Sequence, residues 1–390
     1  MIKKIIWSVI GLVIGVVLLV IGGIAFSKLL KEGHIITNYT SYVPWGLGVS
    51  WYVYLVWLEV GTLLSFAILV YIFGLKHLKS IATILYLSGF LILTSAVLTI
   101  LMDIGKMQKA FDIFFKPHFS SMIAWMAWMH VAYSGVVGLE LLISILANRG
   151  AKFAIYIDTA FGWIPGMVSI VAGTVLISII GTLFSTVSGM AAWRGGSLPL
   201  LFLLSSLVAG IALLSIIYIA FSPDKGTDVY SRVVKSLGKT TLAFIVIAMI
   251  AGFGVSVTLR TSVIDAYFSG AYNAIWAVIL GLVIPIIILL LQLTSNAQKS
   301  WYMLTAASIL MLISLWVIPY NVIINPQMVE PIPGIAEAFL HEKLTYLYTP
   351  SRTEVALNML PIGIAILGFT LGYWILNWIS PLKPTAGKEV

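Results

Sequence analysis

The stretch WYVYLVWLEVGTLLSFAILVYIFG, residues 51–74, decides how this chain folds. A helix rises about 1.5 Å per residue, so a stretch of this length is long enough to cross a hydrocarbon layer of about 30 Å. Its one charged side chain is Glu59. Because a carboxyl group is costly to hold in hydrocarbon, we expect Glu59 to face the protein interior or a wet cavity. The stretch therefore predicts a membrane-spanning helix with a functional acid inside it.

The rest of the chain has the same character. Apolar residues make up 61% of the 390 positions and charged residues only 9%. In a soluble globular protein about a quarter of the residues are charged. We predict an all-α integral membrane protein, a single polytopic domain over residues 1–390 with about ten transmembrane helices. The predicted spans are 5–30, 51–74, 81–102, 122–147, 163–189, 198–221, 240–259, 274–293, 300–318 and 355–378.

The distribution of Lys and Arg over the loops predicts the orientation of the chain. With the N-terminus inside, thirteen of the 22 basic residues, including Lys383 and Lys388, fall on the inner segments and the remaining nine on the outer ones. This bias has the sign of the positive-inside rule, so we expect both termini in the cytoplasm. The basic residues are dispersed among short loops. The net charge of +8 therefore indicates anchoring at the cytoplasmic surface and no nucleic-acid partner.

The census of metal-ligating residues predicts a chain without a redox cofactor of its own. There is no cysteine, which excludes disulfides, thiolate catalysis and cysteine-ligated iron–sulfur clusters. Of the five histidines only His130 lies within a predicted span, and a b-type haem held between helices normally needs two such ligands. We expect neither haem nor an iron–sulfur cluster nor another metal in this chain.

The fourth span carries a titratable stripe. Met126, His130, Tyr133, Val137 and Glu140 recur at alternating spacings of four and three, which places them on one helix face. The rise of a helix separates His130 from Glu140 by about 15 Å, roughly half the hydrocarbon thickness. Such a stripe suits proton transfer, in which Glu59 of the second span would join His130, Tyr133 and Glu140. The alternative is that Glu140 bonds to a hydroxyl or backbone group of a neighbouring helix and only fixes packing.

The predicted outer loops 31–50, 103–121 and 320–354 are long, and long loops tend to be functional. Asp103 stands at the boundary between the third span and its loop. If the helix continued beyond it, Lys106 and Lys109 would lie one turn and two turns further on. A plain boundary ion pair between Asp103 and these lysines is then the alternative to a functional site.

Several short motifs, in this order along the chain, resemble the NrfD family of membrane subunits, which includes polysulfide-reductase anchors and the ten-helix anchors of periplasmic hydrogenases. Relatives often carry a His-Gln-Ser-Ser-Leu-Gly stretch on the fifth helix, where this chain has Leu176 to Gly181 without a histidine, so His130 is a candidate local substitute. The motifs that carry the resemblance are Pro44-Trp45-Gly46, Asp103-Ile104-Gly105-Lys106 where relatives have Asp-Leu-Gly-Arg, Glu140, Asn321-Val322 and Tyr348-Thr349-Pro350-Ser351 with Glu354.

The resemblance implies two four-helix bundles plus flanking helices in a prokaryotic cell (inner) membrane. It also implies a quinone, of the menaquinone type, bound near the outer face. Electrons would pass between it and an iron–sulfur or cytochrome subunit docked on the extracytoplasmic face, with a molybdopterin or other catalytic subunit in the same complex. The residues that we assign to quinone contact on this basis are Tyr42, Trp45, Gly46, Asp103 and Lys106.

Two other functions compete with this interpretation. A proton-coupled secondary transporter would use the same buried acids near the midplane, but such transporters often show inverted repeats and matching broken helices, and the sequence shows no such pair. A purely structural anchor would use its buried acids only to hold helices together.

Overall fold

The computed structural model describes residues 2–187, 189–190, 193, 196–259, 274–330, 332, 334–335, 337–338, 341 and 343–379. This part of the chain is helical and holds ten helices long and apolar enough to cross a membrane, which confirms the predicted fold class. Lys383 and Lys388, which entered the charge count, lie outside the described residues, as does part of the predicted loop 320–354.

Ten helices, α1 to α10, follow the predicted spans in order. Helix α8 is preceded by a π-helical segment, Ala274–Val283, and α9 resumes as Val317–Ile324 after a short break. Pro319 explains the break, because it has no N–H to donate to the carbonyl four residues earlier. The bounds of α1 to α10 are Ile2–Glu32, Leu47–Ala67, Ala82–Asp103, Met122–Asn148, Trp163–Ser185, Ser197–Phe221, Asp228–Leu259, Ile284–Thr294, Ala297–Ser314 and Arg352–Ile379.

Helix α7 begins at Asp228, twelve residues before the predicted span at 240. Its first turns carry charged residues on one face. Because these interrupt the apolar sequence, the predicted span did not include those turns. The opposite face buries Tyr230, Val233, Val234 and Leu237 at helical spacing against the protein. Amphipathic periodicity was therefore the signal that the apolar count missed.

The helices form two bundles. Helices α2 to α5 pack around one another, as do α6 to α9, and α1 and α10 pair with each other and lie against α3. This is the expected arrangement of two four-helix bundles plus flanking helices. Helix α2 is central: 19 of its 21 residues are buried, so Glu59 faces protein and not lipid.

The bundles meet where α2 crosses α6, and the crossing depends on two glycines. A Cβ added at Gly61 would overlap the carbonyl oxygen of Ser206, and one at Gly210 would overlap the backbone of Gly61. The Thr62 hydroxyl, beside this crossing, lies 3.2 Å from the carbonyl oxygen of Gly210. Backbone contact this close requires residues without a side chain.

The connections divide the molecule into two ends. We call the end formed by residues 33–46, 104–121 and the described residues of 325–351 the long-loop face. The end formed by residues 73–81, 149–162 and 222–227 is the short-loop face. Contacts between loops distant in sequence define each face: Lys343 Nζ donates to the carbonyl of Tyr39 on the first, and Lys79 pairs with Asp158 on the second.

Candidate functional site

Asp103 is held at the long-loop face by a tyrosine. Helix α3 ends at Asp103, the next residue is extended, and the Tyr39 hydroxyl donates a 2.5 Å hydrogen bond to Oδ1 of Asp103. Lys106 is exposed and makes no ion pair with Asp103. The boundary ion pair considered from the sequence is therefore wrong, because the helix does not continue to bring Lys106 back over the acid.

A second tyrosine–carboxyl pair lies beside the first. The Tyr348 hydroxyl donates to Oε2 of Glu354, in the first turn of α10, and accepts the backbone N–H of Leu47 at 2.9 Å. The backbone N–H of Asn38 donates to Oε1 of Glu354 at 2.6 Å. These bonds join the first loop, the start of α2 and the start of α10. Burial raises the pKa of Tyr348 and that of Tyr39, where the Asp103 carboxyl adds to the effect, so both phenols stay protonated at neutral pH.

Two glycines make room for these tyrosines. A Cβ at Gly46 would overlap the Tyr348 hydroxyl and the Tyr39 ring, and a Cβ at Gly48 would lie 2.7 Å from Oδ1 of Asp103. The predicted site residue Gly46 thus lies within the tyrosine–carboxyl cluster. Gly48 belongs to the same cluster and was not predicted.

The remaining predicted quinone contacts lie around this cluster. The backbone of Trp45 exchanges two hydrogen bonds with the side-chain amide of Gln327, at 3.2 and 2.9 Å, and its indole stacks on that of Trp193 with ring centroids 5.6 Å apart. Tyr42 stacks on Tyr346 at 4.3 Å between centroids. Lys106 is exposed at the surface of the same face. Sequence reasoning missed Tyr39, Gln327 and Trp193, whose roles follow from contacts with distant parts of the chain.

Below the cluster, α2 and α4 are joined by a tyrosine–histidine pair. Nδ1 of His130 lies 2.8 Å from the carbonyl oxygen of Met126, which can only accept, so we assign the proton to Nδ1. Nε2 is then an acceptor, and the Tyr52 hydroxyl donates to it at 3.2 Å. His130 is a buried, neutral imidazole with both ring nitrogens engaged.

Glu59 and Tyr133 come next, and both are fully buried. The Tyr133 hydroxyl lies near enough to interact with the Glu59 carboxyl group, but among the described residues no hydrogen bond of normal geometry reaches either carboxyl oxygen of Glu59 or the Tyr133 hydroxyl. Glycines leave space over both groups: a Cβ at Gly89 would lie 3.5 Å from Oε1 of Glu59, and one at Gly173 would lie 3.3 Å from the Tyr133 hydroxyl. Buried polar atoms of this kind are normally satisfied by ordered water.

Glu140 lies nearest the short-loop face. Its Oε2 accepts a 2.8 Å hydrogen bond from the Ser169 hydroxyl of α5, and its carboxyl group also interacts with Glu59 and with Tyr86. A cavity of about 70 Å³, partly open to solvent, is lined by Glu140. The charged and polar residues that line it include Lys79, Tyr86, Glu140, Ser144, Asn148 and Asp158.

The predicted stripe on α4 is confirmed as the buried face of that helix. Its buried residues are Ala124 and the five predicted ones. Its polar members His130, Tyr133 and Glu140 lie with Tyr52 and Glu59 between α2 and α4, and Glu140 lines the cavity. This arrangement brings all four predicted proton-transfer residues together.

Comparison with known proteins finds relatives among the membrane subunits of reductases. The family model described as "Polysulphide reductase, NrfD" matches residues 36–331. The chain is 23% identical to a subunit of the selenate reductase of Mesobacillus selenatarsenatis, with 95% of this chain and 93% of the relative covered. It is 25% identical to the membrane subunit of a putative dimethyl sulfoxide reductase of Halobacterium salinarum, with 93% of this chain and 90% of the relative covered. It is 26% identical to the Hdr-like menaquinol oxidoreductase integral membrane subunit of Archaeoglobus fulgidus, with 85% of this chain and 84% of the relative covered.

Proposed function

The chain belongs to the NrfD polysulphide reductase family of multi-pass membrane proteins, and from this premise we propose that it is the quinone-interacting subunit of a respiratory oxidoreductase complex. It exchanges electrons between the membrane quinone pool and a partner subunit. Two relatives support this by name: one is a menaquinol oxidoreductase integral membrane subunit and the other, in Nitratidesulfovibrio vulgaris, a menaquinone reductase integral membrane subunit.

The observation that carries the proposal is the Tyr39–Asp103 pair at the membrane boundary. Quinol oxidation releases two electrons and two protons, so a site needs a hydrogen-bonding group for the quinone oxygens and a route for the protons. Asp103 would accept a proton at the head group. Tyr42, Trp45, Gly46 and Lys106 would complete the contacts.

The residues present fit a quinone of the menaquinone type. Its fused ring is flat and apolar and carries two oxygens, and ligand sites of this kind combine aromatic surface with a few placed polar groups. The Trp45 and Trp193 indoles supply aromatic surface beside the tyrosine–carboxyl cluster. When bound, the quinone supplies the two-electron chemistry that this cysteine-free chain lacks.

Protons would move along the line formed by His130, Tyr133, Glu59 and Glu140. A neutral carboxylic acid can both donate and accept a proton, and the unpartnered oxygens of Glu59 and Tyr133 are positions where water can bridge the gaps. We propose that this movement of protons accompanies quinol oxidation. Glu140→Gln keeps the Ser169 hydrogen bond but cannot titrate, whereas Ser169→Ala removes the bond and keeps the acid.

We place the long-loop face outside the cell and both termini in the cytoplasm. An iron–sulfur or cytochrome subunit would dock on the long loops, within a complex that also holds a molybdopterin or other catalytic subunit. Relatives named as subunits of reductases support such an assembly. Protease accessibility of terminal tags in oriented vesicles tests the orientation, and cleavage from the periplasmic side would invert it.

The test of the quinone site is Asp103→Asn in the assembled complex. Removal of a positioned acid–base group typically costs about 10²-fold or more, so quinol-coupled turnover should fall by about that factor while assembly is unchanged. Asp112→Asn is the matched control, because Asp112 is an exposed acid on the same face. Wild-type turnover of a menaquinol analogue in Asp103→Asn would place the site elsewhere.

The proton route is tested in proteoliposomes that hold the assembled complex. Glu140→Gln should assemble and abolish proton movement coupled to electron transfer, while Ser169→Ala should retain it. If Glu140→Gln translocates protons like the wild type, this glutamate only fixes the packing of α4 against α5.

A further inference from the structure

We propose that the cavity at the short-loop face is an aqueous inlet to Glu140 and that the Lys79–Asp158 ion pair is the gate at its mouth. The inference deepens the proposed function, since it names the route by which protons would reach or leave the Glu140 carboxyl group. It concerns water and ion access, which can be measured without quinone chemistry or partner subunits.

The shape and lining of the cavity point to water as its content. It begins among residues of the short-loop face and ends at Glu140, one helical turn deeper than Ser144. The hydroxyls of Thr83 and Ser144 are 2.5 Å apart, and the amide of Asn148 donates to Thr83 Oγ1 at 2.8 Å. Of these, Ser144 and Asn148 line the cavity and offer hydrogen bonds along one wall, and a cavity with polar partners and sufficient room holds water.

The ion pair lies where the two loops that border the cavity meet. Lys79 Nζ is 3.1 Å from Oδ1 and 3.3 Å from the backbone oxygen of Asp158, and it also lies 5.5 Å from the centroid of the Tyr71 ring. Lys79 belongs to the segment Lys76–Ile81 and Asp158 to the segment Ile157–Phe161, so the pair joins the α2–α3 connection to the α4–α5 connection. It is the single side-chain ion pair found within the described residues.

The pair is suited to open and close. The side chains of Lys79 and Asp158 are 27% and 45% exposed, so water competes for both charges. A partly exposed ion pair changes an equilibrium by a factor of about five at most. Such a contact biases the mouth toward closure without locking it. The other acidic side chain that lines the cavity is Glu140 itself, at the inner end.

The absence of cysteine from the chain makes the inlet directly measurable. Ser144→Cys places a thiol on the cavity wall with little change of volume, and Ala147→Cys places a second one nearer the mouth. Each is exposed to a membrane-impermeant cationic methanethiosulfonate reagent in vesicles of both orientations. Arg149→Cys, on the exposed surface of the short-loop face, reports which vesicles present that face. Ser95→Cys is the buried control, since Ser95 lies between α3 and α10 with its hydroxyl on the Pro361 carbonyl oxygen.

We expect the thiols at positions 144 and 147 to react only from the side that labels Arg149→Cys, while Ser95→Cys stays unreactive. Adding Asp158→Asn to Ser144→Cys should speed labelling about threefold to fivefold, the range that one partly exposed ion pair allows. Asp228→Asn, an exposed acid on the same face outside the cavity, should leave the rate unchanged.

Two results would overturn the inference. Failure of both cavity thiols to react from the short-loop side, when Arg149→Cys reacts, would exclude an inlet. Equal labelling rates with and without Asp158→Asn would exclude the gate. Because labelling requires no turnover, an inactive quinone site in the same preparation would count against the proposed function alone.

Discussion

The Tyr39 hydroxyl donates a 2.5 Å hydrogen bond to the Asp103 carboxyl group across 64 residues of sequence. This contact holds the first loop against the end of α3. It gives Asp103 a hydroxyl donor in place of the exposed cation at position 106. A carboxyl group held in this way keeps a defined position at the membrane boundary and can still take up a proton. The pair therefore supports the assignment of Asp103 to the quinone head group.

Tyr39→Phe should destabilise the chain and weaken quinol-coupled turnover. Loss of a hydrogen bond to a carboxyl group costs about 1.5–3 kcal/mol, which thermal unfolding of the detergent-purified chain can detect. Burial raises the pKa of Tyr39 in the folded chain above its ordinary value. The contribution of Tyr39 to folding stability is therefore complete below its pKa in the unfolded chain, about 10, and is lost as the pH rises toward its pKa in the folded chain. The stability gap between wild type and variant should thus narrow above about pH 10. Tyr42→Phe, which retains its stack on Tyr346, is the control and should keep the wild-type melting temperature at neutral pH.

Gly89→Ala should slow proton-coupled turnover without unfolding the chain. The added methyl would lie 3.5 Å from Oε1 of Glu59 and 3.0 Å from the flexible end of Leu63, so it fills space that we assign to water. In a helix interior the change from glycine to alanine gains about 0.5–1 kcal/mol, which offsets the tight contact. Gly135→Ala, where nothing lies within 4 Å, is the control. Unchanged turnover in both variants would mean that the space over Glu59 carries no water needed for transfer.

Gly61→Ala should separate the two bundles at the crossing of α2 and α6. Its methyl group would overlap the Ser206 carbonyl oxygen, and backbone on both sides leaves no flexible side chain to move. Overpacking typically costs about 1–3 kcal/mol, so a lower melting temperature is expected, with weaker expression. Gly23→Ala on α1 meets nothing within 4 Å and should keep the wild-type melting temperature. Equal melting temperatures for both variants would show that the helices can shift apart at little cost.

The isolated chain should show no haem absorbance and contain no iron. It has no cysteine, and His130, the one histidine assigned to a span from the sequence, already uses both ring nitrogens, on Met126 and Tyr52. Optical spectra and metal analysis of the detergent-purified protein are the measurements. A stoichiometric Soret band would contradict the prediction.

The sequence by itself determined the ten spans and the buried stripe of α4. Hydrocarbon excludes charge and satisfies no backbone group, so continuous apolar stretches become helices, and a helix turns its rare polar residues inward. Met126, His130, Tyr133, Val137 and Glu140 could be placed on one face because helical periodicity is a local property. The predicted helix boundaries were wrong where apolar sequence is not continuous or the helix is broken, at the amphipathic start of α7 and at the break before Pro319.

Only the tertiary structure decided what each polar group touches. Asp103 meets Tyr39, Glu140 meets Ser169 and Lys79 meets Asp158, across 64, 29 and 79 residues respectively. Periodicity gives the face of a helix but not which neighbour lies against it, at what height, or where the packing leaves a space. Those relationships depend on how helices remote in sequence cross, as α2 and α6 do at Gly61 and Gly210, and on loops that fold back over their ends. The cavity below Glu140 and the ion pair at its mouth are products of that packing.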